Sequence, residues 1–438
     1  MQGRLPPLEG CRVTVMGLGR HGGGLGVAAW LGAQGADVLV TDLAGEDALQ
    51  TPLDELHKRF PAAEPPRLRL GEHNISDFTD TDLVIANPAV PKPWDNRYLR
   101  AASAAKVPVT TEIGLVASHL LDRKRVVGVT GSAGKSTTAS MIEAGLTASG
   151  IPTLLGGNIG GSLLDRLDQA NDTTIVLELS SAMLYWLKGW SPGIAVVTSF
   201  EPNHLDWHGD LDHYLRCKQS ILASQTPSDY AVLEQSLDWP VPDGVRVVKP
   251  GNPIDGLTVV GAHNRNNAAL ALAACVAAAP NASRDDLASG IRAFKGLPHR
   301  LSTAGTFRGV RCIDDSKSTT PSASRLACAA ASEELANGRL LLIAGGYDKH
   351  VSLDELRDLP GSPEVFAIGQ TGAEVARVTG GTVAGTLEHA VELAAQRARP
   401  GDVLLLSPAC ASWDQFTGFE ERGLRFTKLV QEQFREDA

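Results

Sequence analysis

The run Gly131-Ser132-Ala133-Gly134-Lys135-Ser136-Thr137 follows the apolar stretch 126–130 and reads as a strand feeding a phosphate cradle. Glycines at 131 and 134 let backbone N–H groups turn inward toward phosphate oxygens. Lys135 supplies a point charge for terminal phosphates, and the Ser136 hydroxyl can hold Mg²⁺. Gly128 and Gly134 are one residue further apart than in the common motif, so the working core is Gly131-x-x-Gly134-Lys135-Ser136. A Gly-rich structural turn is the alternative, and nucleotide chemistry with ATP is the first reading.

Further polar groups end apolar runs. Glu178, in Leu177-Glu178-Leu179-Ser180-Ser181, is a carboxylate at a strand's end, placed for a metal beside phosphates or for a solvated ion pair. His204 and Asp206 follow another strand and offer imidazole and carboxylate ligands, or structural contacts. Lys218 lies on a helix expected over 212–222, at a spacing that can face the same cleft; by default it is a solvated lysine. In the last third, three polar loops each follow a strand: Asp314-Asp315-Ser316-Lys317-Ser318-Thr319, Gly345-Gly346-Tyr347-Asp348-Lys349-His350, and Ser407-Pro408-Ala409-Cys410-Ala411-Ser412-Trp413. Loops at successive strand ends are what a ligand crevice in an open α/β sheet needs.

These groups need a scaffold of alternating strands and helices. The chain has 438 residues, 43% hydrophobic and 21% charged, which suits roughly three globular domains. Its net charge of −10, with no basic tract, argues against a general nucleic-acid binder. Six scattered cysteines without paired spacing fit a reduced, cytoplasmic setting. The first ten residues lack the order of a signal peptide, and runs such as 268–279 are too short to span a bilayer. An α/β fold is therefore expected, with parallel sheets.

Its first unit carries strand 12–16, the turn Gly17-Leu18-Gly19-Arg20-His21-Gly22, helix 27–34 and a strand ending at Asp42. That is a dinucleotide-type βαβ fingerprint, or a structural turn of the same shape. Strands are further expected at 174–179, 194–198, 339–344, 365–369 and 402–407. Residues 262–267 should open an Ala-rich helix from Ala268. Pro/Gly-rich joints near Lys124 and Pro298 divide the chain into 1–123, 124–297 and 298–438.

The sequence resembles the Mur ligase family over nearly its whole length. The matching segments include Gly131 to Thr137, Gly157-Asn158-Ile159-Gly160, Leu177 to Ser181, Asn203-His204-Leu205-Asp206, His263-Asn264 with Asn267, Gly296-Leu297-Pro298-His299-Arg300-Leu301 and Asp315 to Thr319. The run Leu406-Ser407-Pro408-Ala409-Cys410-Ala411-Ser412-Trp413-Asp414-Gln415-Phe416, with Phe419-Glu420-Glu421-Arg422-Gly423, is the most diagnostic. It points to the branch that adds D-glutamate to UDP-N-acetylmuramoyl-L-alanine.

The resemblance implies an N-terminal Rossmann-like domain for the UDP-sugar, a central P-loop ATPase domain with a parallel sheet, and a C-terminal Rossmann-like α/β domain for the amino acid. Gly17, Gly19, Arg20, His21, Asp42, Asn87 and Asn158 match the UDP-sugar site. Ser132, Ala133, Thr137 and the rest of the phosphate loop match the ATP site, with Asn264, Asn267, His299, Arg300 and Asp315. Lys317, Thr319, Lys349, Ser412 and Phe419 match the amino-acid site. Lys135, Glu178, His204 and Lys218 match catalytic positions. Ser136, Glu178, His204 and Lys218, the last as a CO₂-derived carbamate, match ligands of two Mg²⁺ ions. The expected enzyme is a monomeric ATP-dependent ligase without nucleic-acid or membrane partners, whose domains close around three substrates. Ala133 stands where the family often has Asn. A related Mur or folylpolyglutamate-type ligase using L-glutamate or another amino acid is the alternative. A Rossmann oxidoreductase would leave Gly131 to Ser136 and Glu178 idle, and a non-catalytic nucleotide module would lack the metal-ligand positions present here.

Overall fold

The computed structural model describes residues 5–19, 24–60, 65–120, 122–170, 172–335, 337–349 and 351–434. Within these residues three sheets form, each from strands separated in sequence by helices. The first comprises β1 (Arg12–Met16), β2 (Asp37–Asp42), β3 (Arg67–Leu70), β4 (Leu83–Ala86) and β5 (Val109–Thr110), in the order β3-β2-β1-β4-β5, all parallel. The second comprises β6 (Val126–Thr130), β7 (Thr153–Gly157), β8 (Thr174–Glu178), β9 (Ile194–Val197), β10 (Tyr230–Leu233) and β11 (Arg246–Val248). Its order is β11-β10-β9-β6-β8-β7, again all parallel.

The third sheet has β12 (Ser302–Phe307), β13 (Val310–Asp314), β14 (Leu340–Gly345), β15 (Glu364–Ile368), β16 (Thr382–Gly385) and β17 (Val403–Leu406). Their order is β12-β13-β17-β14-β15-β16, and only the hairpin β12–β13 is antiparallel. The chain divides into two compact units, Met1–Asn252 with Ala269–Ile291, and Pro253–Ala268 with Arg292–Ala438. The first two sheets lie in the first unit and the third in the second.

Parallel strands covered on both faces must be apolar along their length, and the central ones are: all five residues of β6, all four of β9 and all four of β17 are buried. The polar residues fall just past these strands, where the sheets meet the loops. Two helices depart from their expected limits. The Ala-rich helix starts at Ala262, where the Glu333 carboxylate accepts from the Ala262 amide at 3.2 Å and so caps the first turn, while Asn264 donates to the preceding Val260 carbonyl at 2.7 Å. The helix bearing Lys218 spans Leu211–Gln219. The Asp210 carboxylate caps it, accepting from the His213 amide at 2.7 Å.

In the second unit the loops after β13 and β17 are held by one buried side chain. Arg422, on the helix Phe419–Gln433, is 1% exposed. Its guanidinium donates to Ser316 Oγ and the carbonyls of Ser316, Cys410 and Ala411 at 2.9–3.2 Å. Burial lowers its pKa to about 10, which still leaves it charged at neutral pH. On the same helix Gly423 allows close approach, since a Cβ there would lie 2.1 Å from His299 Nδ1.

Removing this fork strands three buried carbonyls and a hydroxyl at once. Arg422→Ala should therefore destabilise the second unit by about 3 kcal/mol or more. Arg422→Lys should recover only part of that, because an ammonium cannot reproduce the planar fork. Urea unfolding of the three proteins checks both, and a loss below about 0.5 kcal/mol would show that the fork does not hold the loops.

Candidate active site

Strands β8, β6 and β9 are neighbours, so the residues following them converge. After β6 the chain turns at Gly131, whose φ is +152°. A Cβ there would stand 2.0 Å from Thr198 Oγ1, just past β9. Gly134, at φ +80°, starts the helix Lys135–Ala148, so the first-turn amides of that helix open toward the loop. The loop is tied to the β9 end. Ser132 N donates to the Ser199 carbonyl at 3.0 Å, Ala133 N to Ser199 Oγ at 2.9 Å, and Thr198 Oγ1 to the Ala133 carbonyl at 2.5 Å. Lys135 Nζ folds back to within 3.1 Å of the Ser132 carbonyl. Ser136 and Thr137 are buried in the first turn.

Lys218 belongs to this cluster and is not a solvated helix lysine. It is 1% exposed, its Nζ donates to the Gly131 carbonyl at 2.7 Å, and it lies 4.9 Å over the ring of Tyr214. Burial, with Lys135 adding repulsion, brings its pKa down to about 7, against smaller upward pulls from Cys217 and then Glu178. Tyr214 is fully buried and shares a 2.9 Å hydrogen bond with Ser132 Oγ. His204 sits exposed at φ +53°. Partial burial of its ring, then Lys135 and Lys218, lower its pKa, which favours the neutral imidazole with one nitrogen free to accept.

Glu178 is 1% exposed, and its Oε1 accepts from Asn158 Nδ2 at 3.0 Å. Its Oε2 is buried with no hydrogen-bond partner. A buried, orphaned carboxylate oxygen is costly unless a cation meets it. An oxygen-seeking Mg²⁺ fits the Glu178 carboxylate and the Ser136 hydroxyl. Asn158 reaches Glu178 because Gly157, at φ +91°, brings the chain against β8: a Cβ there would lie 2.3 Å from the Glu178 carbonyl. Asn158, matched from sequence to the UDP-sugar, thus stands beside the metal candidate.

At the β1 and β4 ends, Gly17, Gly24, Asn87 and Pro88 line one cavity with Glu112. Asp42 accepts from the Gly19 amide at 3.0 Å and the Ala44 amide at 2.8 Å, so its carboxylate shapes the turn. Asn87 Oδ1 caps its own loop through the Ala89 amide. Arg20 and His21 lie outside the described residues.

In the second unit, Thr319, Tyr347, Asp348, Lys349, Thr371 and Cys410 line one cavity. Lys349 Nζ lies 5.3 Å over the Trp413 ring, and Lys317 Nζ 5.3 Å over Phe419. Ser412 is buried nearby in sequence. His299 Nδ1 meets Asp314 Oδ2 at 2.7 Å. Asp315 is 2% exposed and accepts from Ser407 Oγ at 2.8 Å and the Leu301 amide at 3.1 Å; burial pushes its pKa up to about 7. It sits beneath its loop. Asn264 and Asn267 are buried and mutually hydrogen-bonded at 3.3 Å, while Arg300 is half-buried in the turn after Leu297. Sequence reading did not single out Thr198, Ser199 or Tyr214. The hydroxyl pair ending the apolar run 194–197 was the available signal.

A family model described as the Mur ligase middle domain matches residues 129–241, and one described as the Mur ligase, glutamate ligase domain matches 299–410. A UDP-N-acetylmuramoylalanine–D-glutamate ligase of Koribacter versatilis is 35% identical over 97% of this chain and 98% of its own. A Roseiflexus protein of the same name is 34% identical over 97% and 99%. The crystal structure of UDP-N-acetylmuramate-alanine ligase MurC from Thermotoga maritima shares the fold, with a TM-score of 0.59 at 19% identity, covering 96% of this chain and 99% of that one.

The contact of Gly131 with Thr198 makes the loop intolerant of any side chain. Gly131→Ala forces either the loop or the β9 end to move, at a strain of about 3 kcal/mol. ATP binding should weaken roughly 100-fold or more, with the sheet intact by circular dichroism. Calorimetry with ATP measures this, and unchanged affinity would show that the loop's shape is not what holds the nucleotide.

Proposed function

The chain belongs to the Mur ligase family, and from that membership we propose that it joins D-glutamate to UDP-N-acetylmuramoyl-L-alanine with conversion of ATP to ADP and phosphate. This is a step of peptidoglycan precursor synthesis. The observation that carries the reading is the alignment of 97% of the chain with two ligases of that name. No helix among the described residues is long and apolar enough to cross a membrane, and the six cysteines are free and buried. A cytoplasmic setting belongs to the same proposal.

A carboxylate is a poor acyl donor. The substrate carboxylate therefore attacks the terminal phosphate of ATP, giving an acyl phosphate and ADP. The glutamate amine then adds to the acyl carbon, and the tetrahedral intermediate collapses to amide and phosphate. In this scheme the first-turn amides of the helix Lys135–Ala148 and the Lys135 ammonium hold the phosphates. Ser136 and Glu178 would hold one Mg²⁺, and His204 with a carbamate on Lys218 a second. When bound, such ions offset charge on the phosphate oxygens.

Lys218 suits carbamate formation because it is buried and near-neutral, and only the neutral amine attacks CO₂. Nζ forms the bond to carbon and releases its proton, which replaces a buried amine by an anion beside Lys135. The cavity lined by Gly17, Gly24 and Asn87 would receive the uridine diphosphate. The cavity holding Thr319 and Lys349 would receive glutamate, with Lys317, Ser412 and Phe419 contributing.

Three measurements test this reading. With UDP-N-acetylmuramoyl-L-alanine and ATP, a panel of amino acids should release ADP for D-glutamate and far less for L-glutamate or a diamino acid; a diamino acid as best substrate would place the chain in another branch. Lys349→Ala should raise the KM for glutamate at least about tenfold, a loss of one charged contact, while the KM values for ATP and UDP-sugar hold. Equal weakening of all three would indicate a folding defect instead. Lys218→Ala should be nearly inactive and regain activity with a short carboxylic acid in place of the carbamate, and full activity without additive would refute the carbamate.

A further inference from the structure

Near the phosphate loop, three soft or borderline ligand atoms converge that the ligase reaction does not use. His208 ends the short helix Leu205–His208, and His213 and Cys217 lie four residues apart on the helix Leu211–Gln219. Residues so spaced share one helix face. His208 Nδ1 and His213 Nδ1 are 2.9 Å apart, and Cys217 Sγ is 3.9 Å from His213 Nδ1. One ligand atom from each of the three lies within 4.8 Å of the others. His208 and Cys217 are buried, and His213 is half-buried.

A tetrahedral ion with bonds of about 2.05 Å to nitrogen and 2.3 Å to sulfur requires ligand separations of about 3.3 Å for N–N and 3.6 Å for N–S. The His208–His213 and His213–Cys217 distances differ from these by a few tenths of an ångström, and the His208–Cys217 pair, within 4.8 Å, closes on an ion by side-chain rotation. His208 Nε2 meets Ser181 Oγ at 2.8 Å. A ligating imidazole is commonly oriented by such a partner on its other nitrogen. Trp207 packs 4.5 Å from His208 and Trp94 4.4 Å from His213, measured between ring centroids, so the pair sits in an aromatic surround.

We propose that His208, His213 and Cys217 form a binding site for a zinc-class divalent ion, with water in the fourth position. Imidazole and thiolate select such an ion over Mg²⁺, which takes oxygen ligands. On binding, the Cys217 thiol loses its proton to solvent and its sulfur bonds the metal. The ion would tie the end of the short helix Leu205–His208 to the helix Leu211–Gln219. The inference stands on these three residues and does not depend on which amino acid the enzyme ligates.

The full chain, stripped with chelator and kept in excess Mg²⁺, is titrated with Co²⁺ as a spectroscopic stand-in. One equivalent should bind with the intense visible bands of a tetrahedral ion and a thiolate-to-cobalt charge-transfer band, and Zn²⁺ should displace it. Cys217→Ser, shown folded by circular dichroism, should lose the charge-transfer band. His213→Gln should weaken Co²⁺ binding at least tenfold. Absence of stoichiometric Co²⁺ binding to the unaltered chain, or a charge-transfer band that survives Cys217→Ser, would overturn the proposal and leave the two histidines as a hydrogen-bonded packing pair.

Discussion

The approach of Gly131 to Thr198 is the constraint on which the phosphate loop depends. With φ at +152° and no Cβ, Gly131 lets the loop lie against the end of β9. That contact brings Ser132 and Ala133 into hydrogen bonds with Ser199 and aims the Gly131 carbonyl at Lys218. Without it, neither the amides at the start of the helix Lys135–Ala148 nor the buried amine would be in place. The parallel order β9-β6-β8 supplies the rest: three adjacent strands end on one edge, so Thr198, Gly131 and Glu178 become neighbours although 67 residues separate the first two.

The electrostatics of this edge is unbalanced in a way that suits anionic ligands and cations together. Lys135 and Lys218 repel each other strongly enough to help depress the Lys218 pKa, while Glu178 keeps one carboxylate oxygen without a partner. A protein interior normally avoids both conditions. A bound phosphate would relieve the first and a metal ion the second. Gly157 and Asn158 hold Glu178 in register by approaching from β7, so the metal candidate is positioned by backbone shape as much as by charge.

The second unit solves a different problem. Its three polar loops carry the residues proposed to meet the amino acid, and polar loops at strand ends lack packing of their own. Buried Arg422 supplies the order from below through four hydrogen bonds, and Asp315 adds a second anchor through Ser407 and the Leu301 amide. Lys349 and Trp413 then face outward on a supported base.

Much of this was legible in the sequence alone. Apolar runs of four to six residues ending in Gly, Glu or Ser marked β1, β6, β8, β9, β14, β15 and β17, because a doubly covered parallel strand has no room for polar residues until its end. The phosphate loop and Glu178 were visible for the same reason. What the sequence could not contain is how far burial and neighbours change a residue's chemistry. Lys218 reads as a helix lysine until tertiary packing places it over Tyr214 and under Gly131. Asn158 and Asp315 match ligand positions, yet folding turns one toward Glu178 and the other beneath its loop. His208, His213 and Cys217 carry no recognised motif, and only the junction of two helices brings them together. Local pattern determined the strands and their polar ends, whereas long-range packing decided which side chains meet, because those contacts join residues distant along the chain.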